Sequence, residues 1–200
     1  MTNADLDAYA RALAAYYGPH LDAGHLDHQA VHWGSAWGQR VRFDALTGGL
    51  WPIKGTLLDL GCGLAHLADY LDERGSTAAY IGADLLPAMV DRARDRRPAL
   101  DLRVLAPGAP LPDCDVAVAS GIFATAAPEV LRHTVTAMWA AARRAISFNV
   151  LRSGAAQLEP GERAYSPAEL IAWIEPLSPR WLLRTDHHPN DLSVTVWRAR

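Results

Sequence analysis

The sequence predicts a doubly wound α/β domain: a seven-stranded, mostly parallel sheet, a C-terminal antiparallel hairpin and a helical N-terminal segment. Three observations carry that prediction. From residue 55 onward, short apolar runs alternate regularly with helix-like stretches. The runs DVAVAS (115–120) and AISFNVL (145–151) are dense enough to be buried on both faces, as parallel strands between helical layers are. The final pair, RWLLRTD and LSVTVWRA, alternates in character across a short polar connection and reads as a hairpin closing one sheet edge.

Taken in order, strands are expected near 55–60, 77–83, 101–105, 114–119, 145–150, 180–186 and 192–198. Helices are expected over 64–74, 87–97, 127–144 and 167–175. The strand at 55–60 ends in Asp59 and runs into the turn Gly61-Cys62-Gly63, followed by an amphipathic helix. A strand delivered through such a turn to a helix N-terminus brings backbone N–H groups and a positive dipole end to one point, a place to hold a polar ligand edge. Gly61 and Gly63 permit backbone angles and close approach that a side chain forbids. Asp59 would repel a pyrophosphate there, so the expected ligand carries a cationic or hydrogen-bond-donating group.

The next strand, TAAYIGAD, ends in Asp84, and parallel sheets bind ligands outside the carboxyl ends of their strands. Asp59 and Asp84 are therefore expected side by side at that edge, where Asp84 can accept both hydroxyls of a ribose. The bland alternative is an N-cap for the helix opening near Pro87. Between the third and fourth strands only APGAPLPD (106–113) is available, with three prolines and no room for a helix. If two strands separate those neighbours, the connection crosses roughly 21 Å. Eight extended residues reach about 26 Å, so a nearly straight run is expected.

The segment Asp59-Leu60-Gly61-Cys62-Gly63 resembles the first motif of class I S-adenosylmethionine-dependent methyltransferases, small-molecule type. The resemblance continues to about residue 150 and more weakly to the C-terminus. It implies a Rossmann-like methyltransferase fold, S-adenosyl-L-methionine as cofactor and direct in-line methyl transfer to a small-molecule acceptor. Where that family usually has a third glycine this chain has Ala65, small enough for close strand–helix packing. Where many relatives place an acid after the third strand it has Ala106 and Pro107, so adenine would rest on backbone carbonyls and apolar contacts. By the same resemblance Leu85 and Leu86 lean on adenine, while Ser120-Gly121-Ile122-Phe123 passes beneath the methionine part and faces the acceptor. Ser120 is thus expected at the cofactor or substrate and Phe123 at the substrate. Asn149, at the tip of the fifth strand, is expected either to orient an acceptor or to cap a loop.

Residues 1–54 carry many aromatic and histidine side chains and read as a helical lid over a single core of residues 55–200. Tyr17 and Trp37 are expected at the cofactor, where Trp and Tyr rings near the sulfonium can stabilise its charge. Trp33 is expected at the acceptor. Arg42 is expected either to pair with the cofactor carboxylate or to form a surface salt bridge. His25, His28 and His32 share one helical face. That spacing suits a metal, but nothing clearly completes a site beyond a possible convergence of His187, His188 and Asp191, so no metal is expected. His28 and His32 are instead candidate general bases.

Composition agrees with a compact enzyme. The chain has 200 residues, half of them apolar, and a formal net charge of −3, with no electrostatic sign of nucleic acid as partner. Arginines near 92–97 alternate with Asp91 and Asp95 and read as a solvated helix face. Cys62 and Cys114 fall at strand ends rather than in a disulfide framework, which points to a reducing cytoplasmic compartment. No signal peptide or membrane-length apolar run appears, and a monomer or homodimer is expected. The competing reading is a non-catalytic S-adenosylmethionine-binding partner or regulatory subunit on the same fold. A nicotinamide-dependent enzyme is disfavoured by the acid before the glycines and by His66, where a dinucleotide fold wants glycine.

Overall fold

The computed structural model describes residues 3–22, 35–155 and 158–199, with backbone alone for residues 3, 4 and 20–22. Among the described residues, eight strands form one sheet: β1 (Thr56–Leu60), β2 (Ala79–Asp84), β3 (Asp101–Val104), β4 (Cys114–Ala119), β5 (Ala142–Arg152), β6 (Ala164–Tyr165), β7 (Trp181–Arg184) and β8 (Asp191–Trp197). The helices described with them are α1 (Asn3–Asp22), α2 (Ala36–Gly48), α3 (His66–Glu73), α4 (Pro87–Arg96), α5 (Pro128–Ala141) and α6 (Pro167–Ile174). The strand order is β3-β2-β1-β4-β5-β8-β7, parallel from β3 to β5, with β8 antiparallel to both β5 and β7.

Two differences from the expected elements have local causes. The fifth strand begins at Ala142 because α5 stops at Ala141, whose successor is already extended (φ −87°, ψ 128°). The additional β6 is a two-residue parallel pairing of Ala164 and Tyr165 with Leu151 and Arg152. Two residues are too few to leave a period in the sequence.

The β3–β4 connection has no helix, as the prolines required, but it is not straight. The amide of Ala109 donates to the Ala106 carbonyl at 3.0 Å, making a turn with Gly108 at φ +74°. One sheet face packs Leu57, Val116, Val118 and Ala145 against Phe43 and Leu46 of α2 and Leu67 and Leu71 of α3. The other packs Leu58, Ala117, Ile146 and Phe148 against Leu131 and Met138 of α5 and Ile174 of α6. The basic stretch of α4 is not simply a solvated face. Arg96 donates twice to the Leu64 carbonyl (3.0 and 2.8 Å) and pairs with Asp69 at 2.5 Å, tying α4 to the exit of the glycine turn. Cys62 and Cys114 are free and buried. No helix among the described residues is long and apolar enough to cross a membrane.

Candidate active site

The carboxyl ends of β1, β2, β4 and β5 converge on a cleft of about 290 Å³. Asp59, Gly61, Cys62, Gly63, Asp84, Leu85, Leu86, Ala106, Ser120, Phe123 and Asn149 all line it, as do Tyr17 and Arg42. His28, His32 and Trp33 lie outside the described residues, as does His25.

The glycine turn works differently from the expectation. The N–H groups of Gly61 and Cys62 both donate to the Ala83 carbonyl (2.7 and 3.1 Å), and that of Gly63 donates to Asp84 Oδ2 at 2.9 Å. The turn's donors are thus consumed by the β2 tip, which locks the two strand ends together. What the turn offers a ligand is space. Gly61 sits at φ +74°, and a Cβ there would lie 2.0 Å from Ile122 Cγ2. Ala65, in the place of the third glycine, adopts φ 59° and is fully buried, so that position demands a left-handed backbone as well as small size. Gly61→Ala combines backbone strain with a steric overlap and is expected to cost about 2–4 kcal/mol. That corresponds to a Tm lower by roughly 4–16 °C in a scanning melt. Adding Ile122→Ala should recover part of the loss, since the two sites touch.

Asp84 is not an N-cap. Leu86 occupies that position of α4 without a side-chain cap, while Asp84 Oδ1 accepts its N–H at 2.9 Å. With Oδ2 on Gly63, each carboxylate oxygen keeps further lone pairs for a ligand. Burial raises its pKa, partly offset by the N–H donors of Leu86, Gly63 and Leu85. Asp59 is 3% exposed and accepts from the Tyr80 hydroxyl at 2.6 Å. Burial pushes its carboxyl up to about 7; the Tyr80 hydrogen bond opposes the rise and the Asp84 charge adds to it.

The sign of the linkage follows. Folded Asp59 holds a proton that the unfolded chain releases near pH 3.9. Its favourable contribution is complete below that value and is lost progressively as pH rises to about 7. Asp59→Asn should therefore gain stability relative to the parent protein as pH is raised from 5 to 7. Melting both proteins across that range checks this, and the difference cancels the opposite trend from His187 and His188, whose pKa values burial lowers. A difference that does not change with pH would contradict it.

At the β4 tip, Ser120 Oγ is buried with no hydrogen-bond partner among the described residues. Asn149 Oδ1 accepts the Gly121 N–H at 2.8 Å, so the loop-capping role holds, and its Nδ2 donors remain at the cleft it lines. Phe123 packs edge-on against Phe148 with centroids 5.9 Å apart and forms part of the cleft floor. The Cys62 side chain packs away among Ala65, Ala68, Val90 and Leu102, so this residue's contribution to a ligand is backbone only. Burial, then the charges of Asp59 and Asp84, push its thiol pKa up.

Two expectations for α2 need correction. Trp37 is 62% exposed, tilted against His188 at 6.0 Å, and does not line the cleft. Ser35 caps α2 by accepting the Gly38 N–H at 3.0 Å, and the resulting helix phase turns Gln39, Arg42 and Phe43 inward and Trp37 outward. Arg42 makes no surface salt bridge. It is buried, its Nε pairs with the carboxylate of Asp191, and its terminal nitrogen meets His188 Nδ1 at 3.3 Å.

Residues that the sequence reading missed come mostly from α1. Leu6, Tyr9, Leu13 and Tyr16 line one wall beside the expected Tyr17, and the Tyr9 hydroxyl donates to the Ile122 carbonyl. Their spacing of three and four was a legible helical stripe. His66, hydrogen-bonded to Gln39 at 3.2 Å, also lines the cleft. No group of three or more His, Cys, Asp or Glu side chains among the described residues is arranged to hold a metal. The donor set fits a nucleoside with a cationic tail. The carboxylates of buried Asp59 and half-buried Asp84 are acceptors of the kind hydroxyls and ammonium need, Leu85, Leu86, Met89 and Leu105 offer apolar contact, and the Ser120 oxygen has no partner among the described residues.

The strand order and the cleft at the strand ends are those of a Rossmann-like methyltransferase fold, and residues 57–147 match the family model described as methyltransferase domain. Rv1506c of Mycobacterium tuberculosis, provisionally assigned as a methyltransferase, is 37% identical over 103 residues, 48% of this chain and 62% of its own length. The matched stretch thus spans less than two thirds of that relative. Among solved structures, the DhpI complex with S-adenosylhomocysteine covers 97% of this chain and 94% of its own (TM-score 0.62, 18% identity). Magnesium protoporphyrin IX methyltransferase from Synechocystis PCC 6803, with bound S-adenosylhomocysteine, covers 81% and 84% (TM-score 0.66, 13% identity). At those identities the likeness concerns the fold.

Proposed function

We propose that this protein transfers the methyl group of S-adenosylmethionine to a small, partly apolar acceptor. The observation that carries the reading is the pair of carboxylates, the buried Asp59 and the half-buried Asp84, flanking the Gly61–Gly63 turn at the mouth of one cleft. When bound, the sulfonium supplies an already activated methyl, so the protein's work is largely positioning. Asp84 fixes the turn through Gly63 and has lone pairs left for ribose hydroxyls. Asp59 accepts an ammonium, which favours its ionised form against the burial that otherwise protonates it. Ser120 and the Asn149 amide hold the polar part of the acceptor. Phe123, Ile122 and Val130 supply its apolar contact.

Helix α1 acts in this proposal as a lid. Leu13 packs against Leu64, Leu86 and Met89, and Tyr9 ties the helix to the β4 tip. Closing it excludes water from the reacting groups. The test is radiolabelled methyl transfer from S-adenosylmethionine across a panel of small hydroxyl, amine and carboxyl acceptors. Turnover of at least one acceptor, weakened in KM by Asn149→Ala, supports the reading. Tight cofactor binding without turnover of any acceptor would favour a regulatory subunit instead.

A further inference from the structure

We propose that the sheet edge opposite the cleft carries a second binding site, for an oligophosphate anion. The antiparallel hairpin assembles it. Lys54 precedes β1, Arg143 and Arg144 lie at the start of β5, and Arg180 precedes β7. Strand β8 runs the other way, so Arg198, just past its end, arrives at the same edge. The registers Ala145↔Trp197 and Trp181↔Val196 fix that juxtaposition. The five cations, with Trp51 and Trp197, line an open groove of about 540 Å³ that no described carboxylate lines.

The partners of these cations matter more than their number. Arg144 donates to the Lys54 carbonyl and Arg180 to the Arg198 carbonyl, each at 3.1 Å. Arg198 donates to the carbonyls of Ala142 (3.2 Å) and Trp139 and lies 4.0 Å over the Trp139 ring. Neutral carbonyls hold the guanidinium groups in place without cancelling their charge. Among the described residues, only Arg143 of these five has a carboxylate partner, Asp113 at 3.3 Å, and both are exposed. Nearby Asp115 engages the Thr56 N–H through Oδ2.

In a chain of net charge −3, this is a local concentration of positive potential. A multiply charged anion relieves the mutual repulsion of the cations, and planar guanidinium forks match phosphate oxygens. The phosphate groups belong to a free oligophosphate or to a nucleotide, whose base would lie on the half-exposed Trp51 at the rim. The site is independent of methyl transfer, because it lies at the opposite ends of the strands.

The test uses the full chain titrated with sodium tripolyphosphate and, separately, with ATP, followed by tryptophan fluorescence at low and high salt. Both are expected to bind, with affinity falling about tenfold between 50 and 300 mM salt. Arg144→Gln combined with Arg180→Gln is expected to weaken both at least tenfold and leave S-adenosylhomocysteine binding unchanged. Should that double variant fold poorly, Lys54→Gln at its exposed position should still weaken binding severalfold. Tighter binding of ATP than of tripolyphosphate assigns the site to nucleotides; equal affinity assigns it to the phosphates alone. The proposal is overturned if neither probe binds at millimolar concentration, if S-adenosylhomocysteine displaces them, if the variants bind normally, or if only a polymer such as heparin binds.

Discussion

Asp84→Ala is expected to abolish the thermal shift that S-adenosylhomocysteine produces while leaving the unliganded protein about as stable as before. The carboxylate accepts two backbone N–H groups, from Gly63 and Leu86, and so sets the shape of the turn as well as offering lone pairs to a ribose. Hydrogen bonds to a charged group contribute about 1.5–3 kcal/mol each. Losing the ribose contacts together with the turn geometry should weaken binding by about 100-fold or more. Stability should hold because burying this carboxylate is itself costly, as its raised pKa indicates. Asp84→Asn should fare little better, since its amide nitrogen would face an N–H donor at one of two positions that both need an acceptor. A saturating ligand gives the parent protein about 2.7 kcal/mol at a hundredfold excess over Kd. That is a shift of roughly 5–10 °C. A variant that keeps this shift would contradict the assignment.

The second large effect is structural. Asp191→Ala should lower Tm by roughly 6–20 °C, because it takes the Asp191 carboxylate away from the buried Arg42 guanidinium. Breaking a buried pair by removing one partner costs about 3–5 kcal/mol. Arg42 comes from α2 and Asp191 from the first residue of β8, with His188 Nδ1 3.2 Å from the same carboxylate oxygen. The cluster therefore clasps α2 to the hairpin beside the cleft. Arg42→Met together with Asp191→Leu should be milder than Asp191→Ala alone, since no charge is then stranded. If Arg42→Met instead left Tm unchanged and weakened S-adenosylhomocysteine binding, Arg42 would be a partner of the ligand carboxylate rather than a clasp.

The parts of the site that the sequence revealed are those written in short local patterns. A strand ending in Asp59, two glycines and an amphipathic helix lie within fifteen consecutive residues, and Asp84 closes the next strand by the same logic. The capping role of Asn149 was one of two alternatives, decided only when its Oδ1 was seen to accept the Gly121 N–H. What stayed hidden depends on residues distant in the chain. Nothing near Gly61 announces that its N–H serves the Ala83 carbonyl rather than a ligand. Arg42 and Asp191 meet only because β8 returns beside β5. Trp37 stands outside the cleft for a subtler reason: its neighbours Gln39 and Phe43 are buried, and a small step of helical phase separates a cleft wall from solvent.

The central claim, that Asp59 and Asp84 grip one sulfonium nucleoside across the glycine turn, is tested most directly by calorimetric titration of the intact chain with S-adenosylhomocysteine. The account predicts one ligand per chain, with affinity that strengthens as pH rises through about 7, where Asp59 ionises. Absence of binding heat across that range, together with an unshifted Tm, would contradict it.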